Sequence, residues 1–381
     1  MESGRKIKVL HVIESLACGG AERMLITTLA HLDREKFHNV VIYLYKDSYF
    51  LPEIEAIGVD AYSANLKNVY HPLAALRSIY GVIKKEKIDI VHTNLFGADI
   101  YGRISAKLAN VKSVITTIHN LAYNSPENFR SGFFFKRRKI LDALTGRLCN
   151  KSFIAVSNAV KKSAEESLGF KNIKLIYNSV DLKKFSPLLP GEKKSARESL
   201  GLKENTVVIV TTGRLDPQKG HAFLLEALNA PGIKNENVAL LLLGCGVLED
   251  NLKDIIKTRG LEDKVIFLGR KKEVRQIVGC ADIFVLPTIS EGFGLSLLEA
   301  MALKVPCVAS RTGGINEIIE DGRDGLLAEP GCADSIAQAL VKLIGDPGKR
   351  RGIALSGYDK VVNNFDIEKN VKMLEKTYED G

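Results

Sequence analysis

The sequence predicts an α/β protein built from two doubly wound, Rossmann-like parallel-sheet domains facing across a cleft. Three observations predict it. Short, almost wholly apolar runs alternate with longer segments of helical period along the chain. The series stops once, in a polar and turn-rich stretch, and then restarts. The length of 381 residues amounts to two or three domains at about 150 residues each.

The first apolar run is 9–13 (Val-Leu-His-Val-Ile), followed by a helical stretch over 21–32. Runs at 40–44, 88–92, 114–118 and 153–156 repeat the pattern, with helical segments between them. Strands this apolar belong in parallel sheets covered on both faces. Between Asp181 and Asn205 the chain turns polar, with Ser186-Pro187, Pro190-Gly191 and Glu192-Lys193-Lys194. A linker is the natural reading there. The runs resume at 207–211, 239–243, 265–268, 283–286 and 305–309. The expected division is therefore 1–182, a linker over 183–204, 205–362, and a final helical segment within 363–381. Open parallel sheets bind ligands beyond the carboxyl ends of their strands, so chemistry is sought in the loops that follow these runs.

Composition narrows the class. Hydrophobic residues make up 45% and charged residues 26%, as in an ordinary globular protein, which excludes wholesale disorder. The six cysteines form no C-x-x-C pair, which argues for reduced thiols in a cytosolic setting rather than disulfides or a zinc site. No apolar run approaches the roughly 18 residues of a membrane span. The charged opening runs straight into a strand, so no signal peptide is expected. The net charge of +9 is partly clustered: 125–151 holds Arg130, Lys136, Arg137, Arg138, Lys139, Arg147 and Lys151 against Glu127 and Asp142. Phe129, Phe133, Phe134 and Phe135 are interleaved with them. Such a segment suits the interface of an anionic membrane as well as a solvated helix packed by its Phe face. No nucleic-acid module accompanies the charge.

Two stretches carry chemistry. Thr212-Gly213-Arg214-Leu215-Asp216-Pro217-Gln218-Lys219-Gly220 follows the run 207–211. Arg214 and Lys219 there can neutralise a diphosphate at a strand's carboxyl end. Glu291-Gly292-Phe293-Gly294-Leu295 through Glu299 follows the run 283–286. Its glycines let backbone amides approach a ligand, and the helix behind them presents its positive end to an anion. Glu299 would lie about two helical turns beyond Glu291, and the two carboxylates could grip separate hydroxyls of one ligand. Gly244-Cys245-Gly246 resembles the start of a dinucleotide fingerprint, but Glu249 stands where its third glycine belongs, so NAD binding is excluded.

Together these stretches resemble the family 4 retaining glycosyltransferases, whose mark is a Glu, seven residues and a second Glu, matched by Glu291 and Glu299. The likeness extends over nearly the whole chain, through Gly19-Gly20-Ala21-Glu22-Arg23, Thr117-Ile118-His119-Asn120, Asn178-Ser179-Val180-Asp181, 281–287, Gly313-Gly314 and 324–327. It implies the two-domain glycosyltransferase-B fold, with an acceptor-side N-terminal domain and a nucleotide-sugar-binding C-terminal domain. It also implies a last helix that returns to the N-terminal domain. Arg214 and Lys219 would hold the donor diphosphate, Glu299 the ribose, and Glu291 the transferred sugar. The backbone amides of Phe293, Gly294 and Leu295 would line the sugar and phosphate site, with Gly244 near the nucleotide. His119 would face the reacting sugar, and Gly19 and Gly20 would let substrates approach the first helix. Ser179 and Asn316 stand where the family often has Gly and Pro, away from these roles.

The implied reaction is retaining transfer of a hexosyl or acetylhexosaminyl group from a nucleotide-diphosphate sugar, expected to be a UDP-sugar. The acceptor would be a saccharide or a lipid-linked sugar in surface polysaccharide, lipopolysaccharide or glycolipid synthesis. No Asp-x-Asp occurs in the chain, so neither a metal nor a cofactor is expected; cations and a helix terminus would meet the leaving group's charge. The expected location is cytoplasmic, with peripheral contact on the inner membrane face and no nucleic-acid partner. The alternatives are a nucleotide-sugar epimerase of the same fold and a non-catalytic sugar-binding protein.

Overall fold

The computed structural model describes residues 5–67, 71–121, 123 and 133–381. The sequence-stretch residues Glu127, Phe129 and Arg130 thus lie outside the described residues. The chain divides into two units: Met1–Asn178 together with Ile367–Gly381, and Ser179–Asp366.

The N-terminal unit runs β1 (Ile7–Ile13), α1 (Gly20–His31), β2 (Phe37–Tyr45), α2 (Leu51–Ala56), β3 (Asp60–Leu66) and α3 (Pro72–Glu86). It continues through β4 (Ile90–Asn94), α4 (Phe96–Leu108), β5 (Ser113–Ile118), α5 (Phe133–Cys149), β6 (Ser152–Ala155), α6 (Asn158–Leu168) and β7 (Ile173–Leu175). Its seven strands lie in the order β3-β2-β1-β4-β5-β6-β7, and every pairing is parallel. The apolar faces of β1, β2 and β4 pack with α3 and α4 around Leu10, Val12, Ile42, Ile79 and Val91, all essentially without exposure.

The C-terminal unit begins with α7 (Pro190–Ser199), β8 (Val207–Thr212), α8 (His221–Leu228), α9 (Pro231–Lys234), β9 (Val238–Leu243) and α10 (Glu249–Arg259). It proceeds through β10 (Val265–Gly269), α11 (Val274–Gly279), β11 (Ile283–Leu286), α12 (Leu295–Ala302), β12 (Cys307–Ser310) and α13 (Ile315–Ile318). Then come β13 (Leu326–Ala328), α14 (Ala333–Ile344), α15 (Pro347–Asn364) and, back on the N-terminal unit, α16 (Ile367–Glu379). The six strands are parallel, in the order β10-β9-β8-β11-β12-β13.

The stretch 183–204 differs from the linker read in the sequence. It carries α7, a helix with no buried residue that ion pairs hold to the C-terminal unit. Arg197 pairs with Asp282 and Lys193 reaches the same carboxylate at 3.3 Å, while Arg275 pairs with Glu192 at 3.0 Å. Pro190 opens the helix and Glu192 accepts the Leu189 amide at 2.8 Å, a start signal that the polar composition disguised.

Helix α16 docks by its apolar stripe, Ile367, Val371, Leu374 and Tyr378. Tyr378 is 1% exposed, lies edge-on to Phe37, and its hydroxyl meets His92 Nδ1 at 2.6 Å. Asn370 donates to the Tyr177 carbonyl and Glu375 accepts the Asp33 amide.

Candidate active site

In the C-terminal sheet the strand order reverses between β8 and β11, and the loops that follow these two strands meet there. Gln218 stitches them together. Its carbonyl accepts the Ile289 amide at 2.8 Å and the Thr288 hydroxyl at 2.9 Å, and its side chain donates to the Ser290 carbonyl. The stitched loops bring Lys219 Nζ to 2.6 Å from Glu291 Oε2, with both side chains under 20% exposed. Arg214, in contrast, is 62% exposed, and its pairing with Asp216 at 3.1 Å is a surface contact that costs little to exchange for another anion.

Backbone approaches backbone beneath these side chains. Gly244 has φ +150°, and a Cβ there would collide with the Gly213 carbonyl. Only glycine lets the ends of β8 and β9 lie this close. Gly294 (φ +105°) turns the chain into α12, whose first-turn amides have no acceptor further back within the helix. Phe293 is 2% exposed and packs edge-on against Phe365 at 5.7 Å, so its side chain is committed and only its backbone can reach a ligand. Glu299 is half-buried one turn into α12. Residues 291–294 form the loop that precedes the helix, with Glu291 on it.

His221, just past Gly220, went unread in the sequence. It is 3% exposed, and neither ring nitrogen has a partner among the described residues. Burial, reinforced by the Lys219 charge, lowers its pKa to about 4 and keeps the ring neutral. A histidine opening a helix whose next polar residue is Glu226 was the available signal.

In the N-terminal unit His119 follows β5, and its Nε2 lies 2.9 Å from Asn94 Oδ1. An amide oxygen only accepts, so Nε2 carries the proton and Nδ1 keeps its lone pair. That Nδ1 is enclosed without a partner among the described residues, and burial pushes the ring's pKa down to about 4. His92, at the end of the run 88–92, is a core residue. It is 4% exposed, with Nδ1 on the Tyr378 hydroxyl and Nε2 2.7 Å from the Thr117 hydroxyl. Gly19 caps α1 and lies against the buried Glu22 carboxylate, whereas Gly20 is exposed and a Cβ there would meet nothing.

Further polar residues at this sheet's carboxyl edge were missed. Glu14 Oε1 accepts the Gly97 amide at 2.7 Å, at the start of α4. The residue before that helix, Leu95, holds φ +74°, a strained conformation at the point where β1 and β4 diverge. Tyr45 has a buried hydroxyl with no partner among the described residues. Arg103, 1% exposed, pairs with Asp142 at 2.6 Å and lies 4.0 Å from Asp99, whose Oδ1 is likewise unpartnered. With Asp142 holding the guanidinium, burial pushes the Asp99 pKa up to about 8. The visible signal was an Asp and an Arg four residues apart inside an apolar helical segment.

Comparison with known proteins gives consistent matches. Residues 18–184 match the family described as Glycosyltransferase Family 4, and residues 192–359 match Glycosyl transferases group 1. The chain is 31% identical to the UDP-Gal:alpha-D-GlcNAc-diphosphoundecaprenol alpha-1,3-galactosyltransferase of Escherichia coli, over 98% of this chain and 97% of that one. It is 26% identical to the N-acetyl-alpha-D-glucosaminyl L-malate synthase of Bacillus anthracis, covering 88% and 85%. Among solved structures it is similar to Anabaena HepE in complex with UDP, with TM-score 0.83 and 25% identity over 98% of this chain and 100% of that one.

Proposed function

The chain belongs to the family 4 glycosyltransferases, and we propose that it is a retaining, metal-independent member that moves a hexosyl or acetylhexosaminyl group from a UDP-sugar to a lipid-linked saccharide. One observation carries the donor side. The reversal point of the C-terminal sheet gathers Lys219, Glu291, an exposed Arg214 and the start of α12 on two stitched loops.

Breaking a glycosyl–phosphate bond leaves a diphosphate that gains negative charge while the sugar becomes positive. Cations and helix amides set at the leaving group stabilise that separation. Arg214 can leave Asp216 for the diphosphate at little cost. Lys219, neutralised by Glu291 without substrate, is positioned to turn to phosphate as Glu291 takes the sugar hydroxyls. The amides of Phe293, Gly294 and Leu295 would line the sugar and phosphate, Glu299 would take the ribose, and Gly244 would leave room for the nucleotide. His119, Gly19 and Gly20 are assigned to the reacting sugar and acceptor from the carboxyl edge of the N-terminal sheet. A UDP donor and a lipid-linked acceptor are supported by the galactosyltransferase relative, whose name states both. Peripheral membrane association at the cytoplasmic face follows from that acceptor.

The test is release of nucleotide and free sugar from a panel of UDP-, GDP- and ADP-sugars in EDTA, with Glu291→Ala and Arg214→Ala beside the wild type. We expect one donor to be hydrolysed with retained anomeric configuration, and each variant to lose at least about 100-fold in rate. No release from any donor, and no donor binding by calorimetry, would sink the proposal.

A further inference from the structure

Helix α5 is built inside out. Its inner face is polar and small: Asp142 and Thr145 are under 10% exposed against Arg103, and at Gly146 an added Cβ would meet the Phe170 ring. Its outer face is aliphatic. Ile140 is 66% exposed, Leu144 52% and Leu148 64%, each four residues from the last, with Leu141 (43%) on the same side. Residues four apart on a helix form one stripe, so this is a continuous apolar surface where a globular protein ordinarily shows charge. Leu108, at the end of the neighbouring α4, is likewise 62% exposed.

The stripe is bracketed by cations. Exposed Lys136 and Arg137 lie at one end of the helix and exposed Arg147 at the other, with Lys107 next to Leu108. The sole acid of α5 is Asp142, turned inward onto Arg103. No described helix is long and apolar enough to cross a membrane, so such a face would lie along a surface. A second copy of the chain fits poorly, because pairing two α5 faces in either direction sets cation against cation.

We propose that the outer face of α5 rests on an anionic lipid bilayer, with Ile140, Leu141, Leu144 and Leu148 in the acyl boundary and Lys136, Arg137 and Arg147 among the headgroups. The sequence placed the apolar component of this segment in its phenylalanines, of which Phe129 and the side chains of Phe133 and Phe134 lie outside the described residues; the aliphatic residues that follow add an apolar face the sequence reading did not name. The proposal deepens the lipid-linked acceptor reading, but its test does not depend on catalysis.

The test is co-sedimentation of the full chain with phosphatidylglycerol-containing and with pure phosphatidylcholine vesicles, beside analytical ultracentrifugation without lipid. We expect binding to the anionic vesicles alone. Leu144→Gln with Leu148→Gln, and separately Lys136→Gln with Arg137→Gln, should each weaken it by at least about tenfold. Donor hydrolysis without vesicles should be unchanged in both double variants, which separates loss of docking from loss of the donor site. Failure of the wild type to sediment with anionic vesicles would overturn the proposal, as would double variants that bind as well as wild type. A wild-type dimer made monomeric by the leucine changes would assign the face to a second copy instead.

Discussion

The two sheets share one topology and treat its focal point in opposite ways. In both, the first strand of the unit lies beside the fourth, β1 beside β4 and β8 beside β11, and the loops after those strands meet. In the C-terminal unit the meeting is cationic: Arg214 stands exposed, Lys219 bridges to Glu291, and α12 begins just behind them at Gly294. In the N-terminal unit Glu14 already occupies the start of α4, and Asp99 adds a second carboxyl one turn along. Sheet order thus fixes where ligand loops converge, while a few side chains on them decide the charge they accept. The cationic site suits a diphosphate, and the acidic one suits hydroxyls that donate hydrogen bonds.

The largest expected effect tests whether the N-terminal charges serve the fold. Arg103 is the centre of a buried network, and removing one partner leaves Asp142 as an uncompensated charge. Arg103→Met should cost about 3–5 kcal/mol in urea denaturation, with UDP affinity by calorimetry unchanged under native conditions. Equal loss of UDP binding in folded protein would erase the distinction between the units.

The next effect is a pH dependence. Asp99 has a folded pKa raised to about 8 by burial, so its stabilising contribution is full below the unfolded value and is lost as pH rises through 8. The buried His11, His119 and His221, lowered to about 4, act in the opposite sense: they cost stability as pH falls from about 6.5 toward 4. Between pH 6.5 and 8 the histidines still add stability as the unfolded chain sheds their protons, so Asp99 is read as a difference between two proteins. Relative to Asp99→Asn, wild-type stability should fall there by about 1.5 kcal/mol, at roughly 1.4 kcal/mol per pH unit at the lower end of the window, in denaturation midpoints. An unaltered slope would mean that Asp99 is ionised beside Arg103.

These cases also mark what the sequence could carry. The central strands were legible because burial on both faces leaves them nearly all apolar, as in β9 (Val-Ala-Leu-Leu-Leu-Leu). The strands that were missed, β3, β7 and β13, all lie at sheet edges, where one side has no neighbour and polar residues are tolerated. Arg214, Lys219 and Glu291 were legible as charged residues on glycine-punctuated loops, and Glu299 as a carboxylate on the helix behind one of them. Glu14 and the Arg103–Asp142 pair were not, because their partners lie 83 and 39 residues away in the chain. No local spacing records a contact of that kind.

The smallest effect falls on the acidic focal point itself. Glu14 meets the Gly97 amide at the positive end of α4, so its charge adds to a hydrogen bond that an amide oxygen could also accept. Glu14→Gln should therefore retain the bond and lose only the charge, about 0.3–1 kcal/mol in denaturation. Donor hydrolysis and UDP affinity should stay at wild-type values, because the diphosphate is proposed to meet α12 instead. We expect the KM for a lipid-linked sugar acceptor to rise several-fold while kcat holds, if the Glu14 carboxylate binds acceptor hydroxyls in the ground state. A fall in donor hydrolysis comparable to that of Glu291→Ala would show that Glu14 acts on the donor, and that the opposite charges of the two focal points do not divide donor from acceptor.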